Sequence, residues 1–214
     1  MGKDGDLKRK RTRIKGKFIV FEGGHGSGKT TQAKMLVKYL QDNGMSARYT
    51  KEPYGDDMIP LISKYSDDLL DSPVLMYLLA ASRCTHVRDI KCWIDNGEFV
   101  VCDRYILSSW VYQQIQGIPL KVIRRVNSFS LKPYATFYID VPLKDRVRRL
   151  CKTHRDRKSF FLKNGQLAKE QNLYDGIVHR WNNKRYGRIV TISGEASSAK
   201  VHESIVNHLV SEIK

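Results

Sequence analysis

Residues 23–30 are the segment whose residue types and spacing most directly indicate chemistry. They read GGHGSGKT and match the pattern G-x-x-x-x-G-K-[ST] at every position. Glycines allow a backbone that turns its N–H groups toward a phosphate, and a helix beginning here adds the positive end of its dipole. The segment predicts a nucleoside triphosphate site rather than a glycine-rich turn without function. The predicted triphosphate-binding residues are Gly23, Gly24, His25, Gly26, Ser27, Gly28, Lys29, Thr30 and Thr31.

Charged side chains in and near this segment have separate predicted roles. Lys29 would reach the β- and γ-phosphates as a catalytic cation, and the Thr30 hydroxyl would ligate Mg²⁺. Asp103 and Arg104 follow the apolar run at residues 99–103, and the carboxyl ends of parallel strands form the ligand crevice of such sheets. Asp103 would hold Mg²⁺ or its bound water, and Arg104 would bind a second phosphate. The alternative is an ion pair at the edge of the sheet.

The elements that must position these residues are apolar runs that alternate with helical patterns. Strand-like runs occupy residues 17–22, 46–52, 99–103, 134–141 and 188–193, and helical patterns occupy residues 28–43, 72–96 and 197–214. This alternation is typical of a parallel sheet with helices on both faces. We predict an α/β protein with the three-layer P-loop NTPase fold and a five-stranded parallel sheet.

The charge balance indicates acidic partners. The 214 residues, enough for one sizeable core, carry 38 Lys and Arg against 22 Asp and Glu, a formal net charge of +16. Residues 3–17 are basic and poor in apolar side chains. We predict a basic, disordered tail over residues 1–16, with a polyanion-binding arm as the alternative.

Cysteine usage and hydropathy bear on the compartment. The four cysteines show no CxxC pair and no metal-ligand spacing, and no apolar run approaches the length that crosses a bilayer. The basic start of the chain lacks the apolar core of a secretory signal. We predict a soluble protein of the cytoplasm without a membrane partner.

Four quoted segments resemble one family. FEGGHGSGKTTQ, KEP at residues 51–53, LLAASR ending at Arg83, and DRYILSSWVYQ at residues 103–113 have the order and spacing of thymidylate kinases. These are P-loop nucleoside monophosphate kinases that transfer the γ-phosphate of ATP to dTMP. The resemblance covers residues 17–213 and is most specific in the DRY segment. It implies one kinase domain over residues 17–214, with ATP as co-substrate and Mg²⁺ as cofactor.

The resemblance also implies the acceptor site. Arg104 would bind the acceptor phosphate, Tyr112 would crowd a 2′-hydroxyl and favour deoxyribose, and Arg83 would reach the base carbonyl or the phosphate. Glu52 would shape the far wall of the acceptor site. The implied substrate-binding residues are His25, Glu52, Tyr54, Leu79, Arg83, Arg104, Tyr105, Ser108, Ser109, Tyr112 and Gln113.

A basic segment after the fourth strand resembles the family's lid. The segment RLCKTHRDRKSFF at residues 149–161 supplies two candidate catalytic arginines, Arg155 and Arg157, in a lid over about residues 152–165. Gly26 occupies the P-loop position where family members can carry their arginine, so the lid would have to supply it. A solvated basic loop is the alternative. Family members usually form homodimers through helices that flank the acceptor site, which here implies the helix at residues 73–96.

Three departures from the family pattern affect the acceptor. His25 replaces the carboxylate that touches the sugar 3′-hydroxyl, Lys51 replaces an arginine, and Leu79 replaces the phenylalanine that stacks on thymine. Tyr54, where the family has glycine, would lean over the acceptor. We therefore predict ATP- and Mg²⁺-dependent phosphorylation of dTMP to dTDP. The alternatives are a deoxynucleoside monophosphate kinase of different or broader base preference (dUMP or a purine) and a P-loop protein that binds nucleic acid, in which the basic tail supplies the contact.

Overall fold

A computed structural model describes residues 16–66, 69–153, 165–181 and 183–213. Its five strands pair in parallel in the order β2-β3-β1-β4-β5. They are β1 (Phe18–Glu22), β2 (Ala47–Lys51), β3 (Phe99–Asp103), β4 (Ala135–Asp140) and β5 (Arg188–Ser193). Every strand lies where the apolar runs predict it, and the all-parallel pairing confirms the fold class.

The helices of the described part lie on both faces of this sheet. They are α1 (Lys29–Asp42), α2 (Met58–Lys64), α3 (Ser72–Asp95), α4 (Ile106–Ile115), α5 (Leu120–Val126), α6 (Leu143–Thr153), α7 (Gln166–His179), α8 (Asn183–Tyr186) and α9 (Ser198–Ile213). Pro73 lies in the first turn of α3, where a missing backbone N–H costs nothing. Gly44 follows the end of α1 with a φ of 74°, a backbone conformation that other residues rarely adopt.

The side chains of β1 point alternately to the two faces of the sheet, which explains why the domain has three layers. Ile19 and Phe21 pack in one core with side chains of α1 and α9, whereas Phe18 and Val20 pack in a second core with α3, α4 and α7. Because successive side chains of a strand point to opposite faces, a strand covered on both sides must be apolar throughout. The continuous apolar run of β1 meets that requirement.

The strand order places the candidate site. The chain leaves β1 for strands on one side of it (β3 and β2) and later for strands on the other side (β4 and β5). Ligands of open α/β sheets bind beyond the carboxyl ends of the strands, where the strand order reverses. Residues 23–28 follow β1 at this point, and Arg104 follows the neighbouring β3.

Two predictions concern residues outside the described ranges. The predicted tail over residues 1–16 lies outside them except for residue 16, and the predicted lid over about residues 152–165 does so over residues 154–164, which include the candidate catalytic residues Arg155 and Arg157. Both remain predictions. Within the described ranges, no helix has the length and apolar character that spanning a membrane requires.

Candidate active site

The loop between β1 and α1, residues 23–28, has the geometry of a phosphate cradle. Gly23 and Gly28 have φ values of 147° and 92°, which side chains other than glycine disfavour. The Ser27 N–H closes the turn by donating to the Gly24 carbonyl oxygen at 3.2 Å. Lys29 follows with 6% of its surface exposed, and its Nζ lies 3.4 Å from the same oxygen. The loop and the ammonium group therefore face one small volume.

A buried arginine beneath the cradle leaves little room for a side chain at Gly24 and Gly26. A Cβ at Gly24 would collide with the guanidinium group of Arg146, and a Cβ at Gly26 would lie 3.0 Å from the Arg146 carbonyl oxygen. Arg146 lies on α6, is 1% exposed and donates from Nε to the His25 carbonyl oxygen at 2.9 Å. The cradle is thus fixed from below by α6 as well as by its own turns.

Thr30 and Asp103 form the predicted metal site. The Thr30 hydroxyl donates to Asp103 Oδ2 at 2.5 Å, and the Tyr49 hydroxyl lies 3.3 Å from the same oxygen. Asp103 Oδ1 is buried and has no hydrogen-bond partner in the described part of the chain. An unpaired buried carboxylate oxygen beside a hydroxyl is the oxygen-rich donor set that Mg²⁺ prefers. The residues present therefore fit the ion.

Burial lowers the pKa of the P-loop lysine, Lys29. Removal from water, followed by the neighbouring Arg104 guanidinium, lowers the pKa of Lys29 to about 7, although Asp103 acts in the opposite direction. A nearby anion favours the charged form of an ammonium group. The site therefore holds its two cations close together at an energetic cost that bound phosphate would relieve.

A pocket of about 240 Å³ adjoins the cradle, and His25 belongs to both. Of the predicted substrate-binding residues, the structure brings ten to its wall: His25, Glu52, Leu79, Arg83, Arg104, Tyr105, Ser108, Ser109, Tyr112 and Gln113. The remaining wall residues are Pro53, Ile62, Ser66, Leu75 and Gln116. We call this cavity the acceptor pocket.

Arg104 enters the acceptor pocket from a strained backbone. Its φ of 68° lies in the left-handed region, which non-glycine residues rarely occupy and which recurs at functional sites. Its guanidinium Nη1 donates to the Tyr112 hydroxyl at 2.7 Å and lies 3.3 Å from Ser108 Oγ. Although burial opposes the charge, these surroundings, Tyr112 foremost, raise the pKa of Arg104 above its ordinary value. Arg104 is therefore a fixed cation at the pocket wall.

Glu22, at the end of β1, holds the segment that follows Arg104. One of its carboxylate oxygens accepts from the backbone N–H groups of Tyr105 at 2.8 Å and Ser108 at 3.0 Å. The other accepts from Ser108 Oγ at 2.6 Å. Burial raises the pKa of Glu22, opposed by these hydrogen bonds. The carboxylate satisfies otherwise unpaired N–H groups at the start of α4 and so orients the pocket-facing residues of that helix.

Arg83 and Glu52 form a buried ion pair in the far wall. Arg83 Nε donates to Glu52 Oε2 at 2.9 Å, and Nη2 donates to Ser109 Oγ at 2.7 Å, while Nη1 contacts Asn127 Oδ1. His86, fully buried, lies 3.3 Å from Glu52 Oε1 through Nδ1. Burial opposes the ionised form of Glu52, but Arg83 and the His86 hydrogen bond together lower its pKa. Arg83 thus reaches the pocket wall with most of its donors already engaged.

Two of the predicted substrate-binding residues, Gln113 and Tyr54, differ in their placement. Gln113 is completely buried in the pocket wall, and neither its amide oxygen nor its amide nitrogen has a partner in the described residues. Tyr54, by contrast, is not among the pocket residues: its ring stacks on His86 at 4.2 Å and its hydroxyl donates to Asp89 at 2.8 Å. Tyr54 thus packs against α3, and its contact with the acceptor stays a prediction.

Glu170, in α7, joins the cradle to the acceptor pocket. Its Oε1 accepts from the His25 backbone N–H at 3.1 Å, from His25 Nδ1 at 2.7 Å and from the Tyr112 hydroxyl at 2.6 Å. Its Oε2 pairs with the Arg146 guanidinium group. Burial raises the pKa of Glu170, but the His25 hydrogen bond and Arg146 outweigh it and the pKa falls to about 2. Burial lowers the pKa of His25, although the hydrogen bond with Glu170 acts in the opposite direction.

Sequence reasoning missed four residues of this site: Glu22, His86, Arg146 and Glu170. Glu22 could have been recognised from the sequence, since it is the only charged residue of β1 and is the last residue of that strand, at the carboxyl edge of the sheet. Arg146 and Glu170 lie among other charged residues in α6 and α7, and nothing in the sequence distinguishes them. Their roles depend on contacts between segments that are far apart along the chain.

Comparison with known proteins identifies the family. The sequence model of the thymidylate kinase family matches residues 21–205. The chain belongs to the thymidylate kinase family. A probable thymidylate kinase of Methanococcus aeolicus is 37% identical over 196 residues, which cover 91% of this chain and 96% of that relative. A probable thymidylate kinase of Pyrococcus abyssi is 32% identical over 202 residues, covering 90% and 95%. A thymidylate kinase of a Sulfurihydrogenibium species is 32% identical over 204 residues, covering 91% and 97%.

Membership in the thymidylate kinase family confirms the predicted family and enzyme class. The chain is a phosphotransferase that acts on a nucleoside monophosphate. The family match covers both halves of the site, from the end of β1 through the acceptor pocket to α9. The predicted cytoplasmic location and the nucleic-acid contact of the tail stay predictions.

Proposed function

We propose that this kinase transfers the γ-phosphoryl group of ATP to dTMP with the help of Mg²⁺. The observation that carries the proposal is the meeting of two anion sites at His25. The cradle with Lys29 lies on one side, and the acceptor pocket with the fixed Arg104 cation lies on the other. An enzyme that only hydrolysed ATP would have less use for a second anion site, built on an arginine with a strained backbone, beside the first.

The described residues suggest how each part of the reaction is served. The N–H groups of the cradle and Lys29 would bind the β- and γ-phosphates, and Arg104 would hold the acceptor phosphate in line. Thr30 and Asp103 would hold Mg²⁺, which supplies charge neutralisation between the phosphates. An acceptor oxygen forms its bond to the γ-phosphorus as the bond to the β–γ bridging oxygen breaks, which releases ADP. Arg155 and Arg157 would neutralise the transferred group from the lid.

Tyr112 supports a deoxyribose acceptor. Its hydroxyl accepts from Arg104 and donates to Glu170, so the ring is held from two sides. A ring fixed in this way cannot move aside for an additional hydroxyl at the sugar 2′ position. We therefore expect discrimination against ribonucleotides of the same base.

The far end of the pocket favours thymine. Leu75, Leu79 and Ile62 offer apolar contacts for the 5-methyl group, and Gln113 offers an unpaired amide in the wall. A pyrimidine base carries hydrogen-bond acceptors beside a donor, so it could pair with both the oxygen and the nitrogen of the Gln113 amide. An apolar contact alone discriminates weakly between bases. Because Leu79 gives less stacking than phenylalanine would, broader use of deoxynucleotides is the alternative within the same class.

An acceptor panel tests the proposal. ADP release would be measured with ATP and Mg²⁺ and with dTMP, dUMP, dCMP, dAMP, dGMP, UMP or no acceptor. We expect dTMP to have the highest kcat/KM and UMP to fall well below dUMP. Turnover led by another deoxynucleotide would overturn the thymine assignment, and silence with every acceptor would overturn the kinase assignment as written.

Changing Gln113 to leucine should affect base selection more than catalysis. The variant keeps the buried volume but removes both amide atoms, so we expect kcat/KM for dTMP to fall by about 10-fold or more, since a pocket loses strongly when its polar contact with a ligand is lost. The readout is the ratio of kcat/KM for dTMP to that for dCMP. The exposed Gln41→Leu change in α1 is the control. An unchanged ratio would show that Gln113 does not read the base.

Changing His25 to asparagine tests the hypothesis that His25 replaces the family's carboxylate at the sugar. The substitution His25→Asp would place a second negative charge beside Glu170, which lies 2.7 Å from the imidazole. Asparagine avoids that repulsion and can still donate to Glu170. We expect the acceptor KM to rise about 5- to 10-fold with a smaller effect on the KM for ATP, as for the loss of one hydrogen bond. Unaltered KM and kcat for the acceptor would refute the hypothesis.

The outer face of α3 supports a homodimer. Leu75, Val87 and Ile90 serve the core of the monomer, but Val74 and Tyr77 are 43% and 61% exposed. Leu70, just before α3, is 88% exposed. Exposed apolar side chains grouped on one face are typical of an interface. Light scattering after gel filtration should give twice the monomer mass, and a Tyr77→Glu change should shift it to the monomer mass.

A further inference from the structure

A second cavity lies behind α4, on the side away from the acceptor pocket. It encloses about 220 Å³ between α4, α5, the segment that precedes β4, and Tyr186 in α8. Pro133 in its wall is two residues from the start of β4, so the cavity opens near the amino end of that strand, whereas the cradle and the acceptor pocket lie beyond the carboxyl ends. We call it the α4–α5 cavity.

The wall of the α4–α5 cavity is cationic. Arg124 and Lys132 both line it, and none of the described residues in the wall is acidic. The Arg124 guanidinium lies 4.6 Å from the centre of the Trp110 ring and 5.7 Å from that of Tyr186. Such contacts use the face of a guanidinium group and leave the N–H groups at its edge to donate. Lys132 donates one of its three N–H groups to the Lys184 carbonyl oxygen at 2.8 Å.

Two buried polar atoms in the same wall have no hydrogen-bond partner among the described residues. The indole N–H of Trp110 and the hydroxyl of Ser130 are covered from water and make no hydrogen bond within the described ranges. Buried donors in native proteins are almost always paired, and each exception calls for a reason. The donors come from three separate segments of the chain, which converge on one cavity.

The remainder of the wall is held rigidly. The Asn127 amide donates to the Ile123 carbonyl oxygen at 2.9 Å and accepts from Arg83, while the Leu131 N–H donates to the Tyr105 hydroxyl at 2.8 Å. Asn127 and Leu131 line the α4–α5 cavity, and Arg83 and Tyr105 line the acceptor pocket. This part of the wall is therefore formed by fixed contacts with the core, whereas the two cations, Arg124 and Lys132, are exposed.

We propose that the α4–α5 cavity binds a phosphate group, either free or as a small monoester. Two cations match the charge of about −1.5 to −2 that such a group carries near neutral pH. Donors that arrive from different directions suit a tetrahedral anion with several acceptor oxygens. The proposal does not depend on which nucleotide the acceptor pocket takes.

The test is a calorimetric titration of the full chain with inorganic phosphate at constant ionic strength. Since the cradle and the Arg104 site of the acceptor pocket are also proposed to bind phosphate, we expect a third binding event from the α4–α5 cavity. Lys29→Ala should remove the event at the cradle, and Arg124→Met should weaken the event at the α4–α5 cavity by about 10- to 100-fold, as for a lost charged hydrogen bond. Trp110→Phe should weaken that same event by about 3- to 10-fold because only one neutral donor is lost.

Arg125→Met is the matched control. Arg125 is the exposed neighbour of Arg124 in α5 and does not line the cavity, so its removal changes the net charge equally and should leave every event intact. Replacing phosphate by glycerol phosphate distinguishes the free ion from a monoester. Equal isotherms for Arg124→Met and Arg125→Met, or equally strong binding of acetate, would overturn the proposal.

Discussion

Replacing Lys29 with alanine is expected to lower kcat by about 10²- to 10³-fold, the cost of removing one preorganised cation from a charge-stabilising site. Lys29 is 6% exposed, and its ammonium group faces the cradle formed by residues 23–28. Its charge is most valuable where the transferred phosphoryl group gains negative charge and water is excluded. Steady-state and single-turnover rates of ADP formation measure the effect.

Lys38→Ala is the control for this experiment. Lys38 lies on the same helix, is 76% exposed, and pairs with Asp42 at 2.9 Å on the outer surface. Its loss should leave kcat unchanged, because a surface pair of this kind is screened by solvent. If Lys29→Ala and Lys38→Ala had the same kcat, the cradle would not be the site of transfer.

Replacing Glu170 with alanine is expected to reduce the free energy of unfolding by about 3–5 kcal/mol, as for other buried pairs that lose one partner. The guanidinium group of Arg146 would remain buried without its carboxylate, and the His25 N–H and Tyr112 hydroxyl would lose their acceptor. Urea unfolding followed by circular dichroism gives the value. Glu203→Gln on the exposed face of α9 should stay within about 0.5 kcal/mol of the wild type.

The pH dependence of unfolding distinguishes the charge of Glu170 from its packing. The pKa of Glu170 is about 2 in the folded protein, against about 4.3 for an unperturbed glutamate. A lowered folded pKa gives stability that is present above the unfolded value and is lost as pH falls from about 4.3 toward 2. The stability difference between wild type and Glu170→Gln should therefore shrink over this interval. A difference that stays constant with pH would assign the effect to shape alone.

Most of the fold could be predicted because local patterns determine it. Apolar runs for buried strands, Gly44 after α1 and Pro73 at the start of α3 each specify a boundary within the segment that contains them. The short helices α2, α5 and α8 gave no comparable signal. They are four to seven residues long, too short for a helical period to be distinct, and their positions depend on packing.

The site was predictable to the extent that each residue's role depends on its own motif. The cradle, Asp103 and Arg104 follow directly from strand ends and spacing. The packing of Tyr54 could not be predicted, because its sequence position beside Pro53 does not reveal the stacking partner, His86, which comes from a different element. Glu170 and Arg146 were not predicted because contacts over 145 and 121 residues of sequence define them.

One carboxylate oxygen, Glu170 Oε1, receives hydrogen bonds from the phosphate loop through His25 and from the acceptor pocket through Tyr112. A ligand that displaces one of these two donors changes the hydrogen bond that the other can make with Oε1. The two substrates should therefore not bind independently. Thermodynamic linkage then requires reciprocity: whatever factor ATP imposes on acceptor affinity, the acceptor must impose on ATP. In kinetic terms, the factor by which one bound substrate changes the affinity for the other should differ from one. Glu170→Gln should bring that factor closer to one.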